Sequence, residues 1–128
     1  MSKVYITQES RFDFRGAEEY GEIVFLSQDR RDDFYNIANS GHNKRLLAHL
    51  AFGLREFDQD NDWLVLAGSP YVSMAVFWLL GRKGVSRVNI LRWDNRDLMY
   101  IPLTLTVETK DEQSQAEGDS AATGRGRG

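Results

Sequence analysis

Three short polar segments of this chain each follow an apolar run of strand length, and they carry residue types that suit the binding of an anion. Arginine offers a planar, charged group to carboxylate or phosphate, and a glycine-serine turn before a helix offers backbone amides. Because the carboxyl ends of parallel strands meet at one edge of a sheet, such segments can converge there. The candidate ligand-binding residues are Asp29, Arg30, Gly68, Ser69, Tyr71, Arg92 and Asp94. One hypothesis is therefore a site for a nucleotide or other small anion.

The turn Gly68-Ser69-Pro70 is the centre of this candidate site. Gly68 would let a ligand approach the backbone, and the helix amides after Ser69 could hold a phosphate or carboxylate. However, serine is also a common helix cap and proline suits the first helical position, so a turn that only starts a helix is the alternative interpretation. Neither the dinucleotide glycine motif nor the P-loop motif is present. The sequence favours the capping role.

Residues that could do catalytic or metal chemistry are sparse. The chain has no cysteine, which excludes disulfides and thiolate metal sites. His42 and His49 are seven residues apart, whereas metal-binding pairs usually stand three or four apart. Asp58, Asp60 and Asp62 resemble the start of a calcium loop but lack its later glycine and glutamate, so a solvated loop is favoured. We predict no metal, no cofactor and a non-enzymatic protein.

Net charge is −3, with an acidic C-terminal segment and a body near neutrality in which arginine outnumbers lysine. Such a body lacks the basic excess of a domain that neutralises many phosphates, and the two arginines of Gly124–Gly128 are too few to compensate. The longest nearly uncharged stretch, residues 63–81, is interrupted by the glycine-serine-proline turn and fits a strand plus a helix better than a membrane span. No secretory signal pattern opens the chain. We predict a cytoplasmic protein that binds neither membranes nor nucleic acids.

Hydrophobic periodicity predicts the elements that must position the candidate residues. Strands are predicted at residues 3–8, 22–27, 63–67, 85–93 and 98–107, and helices at 31–38, 42–57 and 70–83. Residues 9–20 are predicted to form a loop that Phe12 and Phe14 pin to the body, with one helical turn at 17–20. The helix at 70–83 has little polar face, so we expect it to be largely buried or covered by a partner subunit.

The element order indicates an α/β fold, a small Rossmann-like sandwich with a central parallel β-α-β-α-β unit, an N-terminal strand and a C-terminal hairpin. The continuous apolar run at 22–27 is predicted to be a central strand, and Pro102 places the last strand at an edge. Residues 1–107 form the predicted single domain, and 108–128 are predicted to be disordered. The anion site requires that strand 63–67 lie between strands 22–27 and 85–93.

Four stretches of the chain resemble a known group of proteins, namely residues 3–9, 17–26, 91–94 and 100–103. They are similar to uncharacterised small accessory proteins encoded by tailed bacteriophages, over about the first 105 residues. The resemblance implies a phage accessory protein made inside a bacterium and carries no residue-level function. The leading hypothesis is binding to another protein, either a second copy or a host factor, because helix 70–83 is apolar and catalytic motifs are missing.

Overall fold

The computed structural model describes residues 2–29, 31–37 and 40–107. The strands are β1 (Lys3–Ile6), β2 (Glu22–Phe25), β3 (Trp63–Val65), β4 (Arg87–Asp94) and β5 (Met99–Thr106). The helices are a 3-10 helix (Arg15–Tyr20), α1 (Gly41–Gly53) and α2 (Pro70–Arg82). The predicted α/β class and the C-terminal hairpin are confirmed, and the 3-10 helix contains the helical turn predicted at 17–20. The predicted tail at 108–128 lies outside the described residues.

Local sequence explains where both α-helices begin. Ser40 caps α1, with its hydroxyl accepting the Asn43 amide at 3.0 Å, and Ser69 caps α2 ahead of Pro70. Apolar side chains at helical spacing then turn one face of each helix to the sheet. These buried side chains are Leu46 and Leu50 of α1, and Val72, Val76 and Leu80 of α2. The C-terminal ends of the two helices are linked by Lys83, the residue after α2. Its Nζ donates to the carbonyl of Leu54, the residue after α1, at 2.6 Å.

The sheet has the order β2-β1-β3-β4-β5, in which the first four strands are parallel and β5 is antiparallel to β4. The prediction of a central strand at 22–27 is wrong, because β2 is an edge strand and β1 lies between it and β3. An apolar run indicates that both faces of a strand are covered. It does not indicate whether the strand has a neighbour on one edge or on both. The predicted edge position of β5 is confirmed. With β1 inserted in the β-α-β-α-β unit and one antiparallel strand, the sheet is mixed, and the predicted Rossmann-like arrangement is not confirmed.

Two hydrophobic cores cover the two faces of the sheet. The helix-side core packs α1 and α2 against one face and includes Tyr5, Leu50 and Leu64. The opposite core packs the 3-10 helix and the loop before it against the other face and includes Val4, Ile6, Phe14 and Ala17. Because β1 alternates between the two cores, all of Val4, Tyr5 and Ile6 are buried.

The described residues at 31–37 contain no α-helix, so the helix predicted at 31–38 is wrong. The aspartates of this segment hydrogen-bond to nearby backbone amides instead. Asp32 Oδ2 accepts the Gln28 amide at 2.7 Å, and Asp33 Oδ1 accepts the Phe34 amide at 2.8 Å. Short acidic side chains that bond locally in this way compete with helical hydrogen bonds.

Within the described residues, no helix has the length and apolar character needed to cross a membrane.

Candidate functional site

Two side chains that follow β1 fill the space beside the turn at the start of α2. Thr7 Oγ1 donates to the Ala67 carbonyl at 2.8 Å and accepts the Ala67 amide at 2.9 Å. Gln8, which is 4% exposed, accepts the Ser69 amide through Oε1 at 2.7 Å, and its Nε2 donates to the Asp32 carbonyl at 2.5 Å. The polar groups nearest the predicted anion position therefore have partners inside the protein.

The Ser69 hydroxyl is also engaged internally. It donates to Asp33 Oδ1 at 2.7 Å and accepts the Tyr71 amide at 3.2 Å, which is the capping contact. Gly68 has a φ of +76°, and a Cβ built on it would stand 2.7 Å from Gln8 Cβ. Glycine at this position is thus required by the close approach of Gln8 as well as by the backbone conformation.

The strand order separates the predicted site residues. Strand β3 is flanked by β1 and β4, so the condition set by the sequence for the anion site is not met. Asp29 lies in a polar depression with Glu9, Arg11 and Arg31, beyond the carboxyl end of β1. Arg30 lies outside the described residues.

The other predicted residues lie in three places. Gly68 and Arg92 line one shared cavity. Tyr71 is exposed on the first turn of α2, and Asp94 accepts the Arg96 amide at 3.0 Å in the turn between β4 and β5. Among the described candidates, Gly68 and Arg92 are thus a pair from different strands that the structure brings together.

The cavity that Gly68 and Arg92 share opens where β3 ends and β4 continues. Strand β3 is three residues long and β4 is eight, and their pairing stops at Leu64 and Ile90. Beyond this point, the segment after β3 and the second half of β4 are separated by a cleft of about 430 Å³. We call it the β3-β4 cleft. Its backbone wall is the segment 65–68, and its size is in the range of small-molecule sites.

The opposite wall of the β3-β4 cleft is aromatic. The Phe12 ring centroid lies 5.1 Å from that of Trp93 and 5.4 Å from that of Phe14, and Trp93 lies 5.0 Å from Tyr100. These separations are typical of attractive edge-to-face pairs. The Trp93 indole is held in place by donating to Asn95 Oδ1 at 2.9 Å. The wall is thus a preformed cluster of rings that pack edge to face or tilted against one another.

Tyr100 has a buried hydroxyl with no hydrogen-bond partner among the described residues. Burial raises the pKa of Tyr100 above 10.0, and the charge of Asp13 raises it further. Asp13 itself pairs with Arg15 at 2.8 Å, and hydrogen bonds from Arg15 lower the pKa of this carboxyl to about 2. Burial and the charge of Asp13 therefore both favour the neutral form of the Tyr100 hydroxyl.

Tyr100→Phe is expected to raise the free energy of unfolding by about 1 kcal/mol, because it removes a buried hydroxyl that has no hydrogen-bond partner among the described residues. Urea unfolding at neutral pH measures this. The raised pKa also means that the wild type loses stability as pH rises above about 10, and the variant lacks this contribution from Tyr100. Tyr5→Phe is the control and should give no comparable gain at neutral pH. A loss of stability in Tyr100→Phe would show that the hydroxyl has a partner.

The sequence interpretation missed the aromatic wall, since it treated Phe12 and Phe14 only as anchors of a loop. Aromatic side chains on a loop and an edge hairpin carry no motif that marks a cleft.

The sequence also predicted that α2 would be largely buried or covered by a partner. The first alternative is wrong for one face, because Tyr71, Met74 and Trp78 are 62%, 64% and 57% exposed.

A family model described as "Phage Pam3 gp32-like protein" matches residues 2–107. No curated protein and no solved structure matches the chain. The resemblance to phage-encoded proteins is thereby confirmed, over nearly the stretch that the sequence predicted.

Proposed function

Because this chain belongs to the family of phage Pam3 gp32-like proteins, we propose that it is a non-enzymatic phage accessory protein that acts by binding another protein. The partner is a second copy of the chain or a host factor. The observation that carries the proposal is the outward face of α2, where Tyr71, Met74 and Trp78 are exposed together. We call these three side chains the α2 face.

The α2 face has the spacing and composition of a helix that docks on a partner. Its members stand three and four residues apart, so they follow one another along the same side of the helix. Tyrosine and tryptophan are enriched among the residues that contribute most to binding energy, and methionine adapts to irregular surfaces. Single exposed apolar residues need no explanation, whereas a contiguous set on one helix is typical of an interaction surface.

Arg82 extends this surface at the end of the helix. Its Cζ lies 5.7 Å from the centroid of the Trp78 ring, within the range of a cation-π contact. Arginine is enriched at protein interfaces, where its guanidinium pairs with carboxylates. The proposed partner surface is therefore apolar at its centre, with an acidic group facing Arg82.

Met74→Lys and Trp78→Ala are expected to weaken the interaction by about thirtyfold or more, since the loss of a central anchor costs about 2 kcal/mol. Sedimentation at several protein concentrations measures self-association. Capture from a lysate of the bacterial host, followed by titration of the purified partner, measures binding to a host factor.

The matched control is Phe52→Lys, which changes an equally exposed apolar side chain on α1. This variant should keep wild-type association. Circular dichroism of all three variants checks that they are folded. A wild-type chain that is strictly monomeric and retains no host protein would contradict the proposal, as would equal binding by wild type and Trp78→Ala.

A further inference from the structure

The β3-β4 cleft is bordered by backbone of segment 65–68, which follows the last pair of residues that joins β3 to β4. On the β1 side, the Thr7 amide donates to the Val65 carbonyl at 3.0 Å. Thr7 Oγ1 hydrogen-bonds to both the amide and the carbonyl of Ala67. Since successive residues of a strand direct their backbone groups to alternate sides, the Leu66 amide and carbonyl face β4. Among the described residues they make no hydrogen bond there. One donor and one acceptor are thus available at the wall.

Arg92 supplies the charge of the cleft. It is exposed, and within the described part of the chain it forms no salt bridge and no side-chain hydrogen bond. Other arginines of the same sheet and loops are paired, such as Arg87 with Asp60 and Arg15 with Asp13. Continuing the register of β3 and β4 past Ile90 places Arg92 opposite Leu66.

The aromatic wall completes the set of chemical features. Phe12 is 42% exposed and lines the cleft with Trp93, so this edge-to-face pair presents ring surface there. Such a wall favours a flat, apolar ring, and the free backbone groups favour heteroatoms at the edge of that ring. The guanidinium of Arg92 favours a phosphate or carboxylate.

From these features we infer that the β3-β4 cleft binds a planar aromatic ring that carries one anionic group. The ring lies against Phe12 and Trp93 on one side of the sheet, and its edge meets the Leu66 backbone. Its anion reaches through the gap between the strands to Arg92, which strand alternation directs to the helix side. A nucleoside monophosphate and an aromatic carboxylate share this chemistry. The site keeps the predicted residues Gly68 and Arg92 but does not use the amide and hydroxyl of Ser69, which are engaged by Gln8 and Asp33. The inference is independent of the α2 face.

Titration of the full chain with four probes tests the inference. AMP and 1-naphthoate each combine a ring with an anion, adenosine has the ring alone, and inorganic phosphate has the anion alone. We expect binding of AMP or 1-naphthoate that is at least about tenfold tighter than binding of adenosine or phosphate. The comparison of AMP with 1-naphthoate distinguishes the nucleotide from the carboxylate as the source of the anion.

Variants then locate the bound probe. Arg92→Ala and Phe12→Ala should each weaken binding by about tenfold, because one removes a charge-assisted contact and the other removes a stacking ring. The control Arg96→Ala, in the hairpin turn outside the cleft, should bind like the wild type. In amide NMR spectra, the signals of Leu66 and Gly68 should shift on binding, while that of Gly84 should not.

Two results would overturn the inference. One is that neither AMP nor 1-naphthoate binds more tightly than adenosine and phosphate. The other is that binding persists unchanged in Arg92→Ala and leaves the Leu66 amide signal in place, which would put the probe elsewhere on the molecule.

Discussion

Gly68→Ala is expected to lower the free energy of unfolding by about 2–4 kcal/mol, which corresponds to a fall in Tm of roughly 10–20 °C. Gly68 has a φ of +76°, a conformation that costs a residue with a side chain about 1–2 kcal/mol. The new methyl group would also stand 2.7 Å from Gln8 Cβ and 2.8 Å from Gln8 Cδ. Gln8 must then move, which disturbs its bonds to Ser69 and Asp32 and adds the cost of unpaired buried groups.

Two other glycines separate the contributions to this effect. Gly84 has a φ of +92° but no atom within 4 Å of a built Cβ, so Gly84→Ala should show the backbone cost alone. Gly81 lies in α2 with equally open space, and Gly81→Ala should be neutral or stabilising because alanine favours helix. Thermal denaturation of the three variants gives the comparison. If Gly68→Ala costs no more than Gly84→Ala, the contact with Gln8 is not the reason for the glycine.

Leu50→Ala is expected to lower the free energy of unfolding by about 2–5 kcal/mol. Leu50 is fully buried in the helix-side core, where α1 packs against the sheet. Removing its side-chain atoms forfeits their transfer from water and leaves a cavity that the surrounding helix and strands fill only in part. Urea unfolding measures the change as a lower midpoint with an unchanged slope.

The control for Leu50→Ala is Phe52→Ala on the same helix. Phe52 is larger than Leu50 but 64% exposed, so its truncation should cost less than about 1 kcal/mol. Equal losses in the two variants would mean that α1 does not pack through the face that contains Leu50.

The cleft lies between β3 and β4 because side chains fill the other place at the carboxyl ends of the strands where a ligand could bind. In open α/β sheets, ligands usually bind where the strand order reverses, which here is between β1 and β3. Thr7 and Gln8 fill that position with hydrogen-bonded side chains. The open space lies instead between β3 and β4, because β3 ends after three residues while β4 continues.

Much of the local structure could be predicted from the sequence. The apolar stripe of α1, the serine-proline start of α2 and the alternation in β5 each gave the type of element correctly. The helix predicted at 31–38 failed because Asp32 and Asp33 bond to neighbouring amides, a choice that helical spacing does not reveal. Of the candidate site, Gly68 and Arg92 were found from strand ends, while Phe12 and Tyr100 were not.

The sequence by itself determined the α/β class, the elements that carry strong periodicity and caps, and the resemblance to phage proteins. These features depend on neighbours within a few residues, whose spacing and backbone preferences are written directly in the chain. Only the tertiary structure decided that β1 lies beside β3, that Gln8 occupies the turn at Gly68, and that a cleft opens between β3 and β4. Strands pair through backbone groups that are nearly the same for every residue, so their lateral order emerges from packing between segments far apart in sequence.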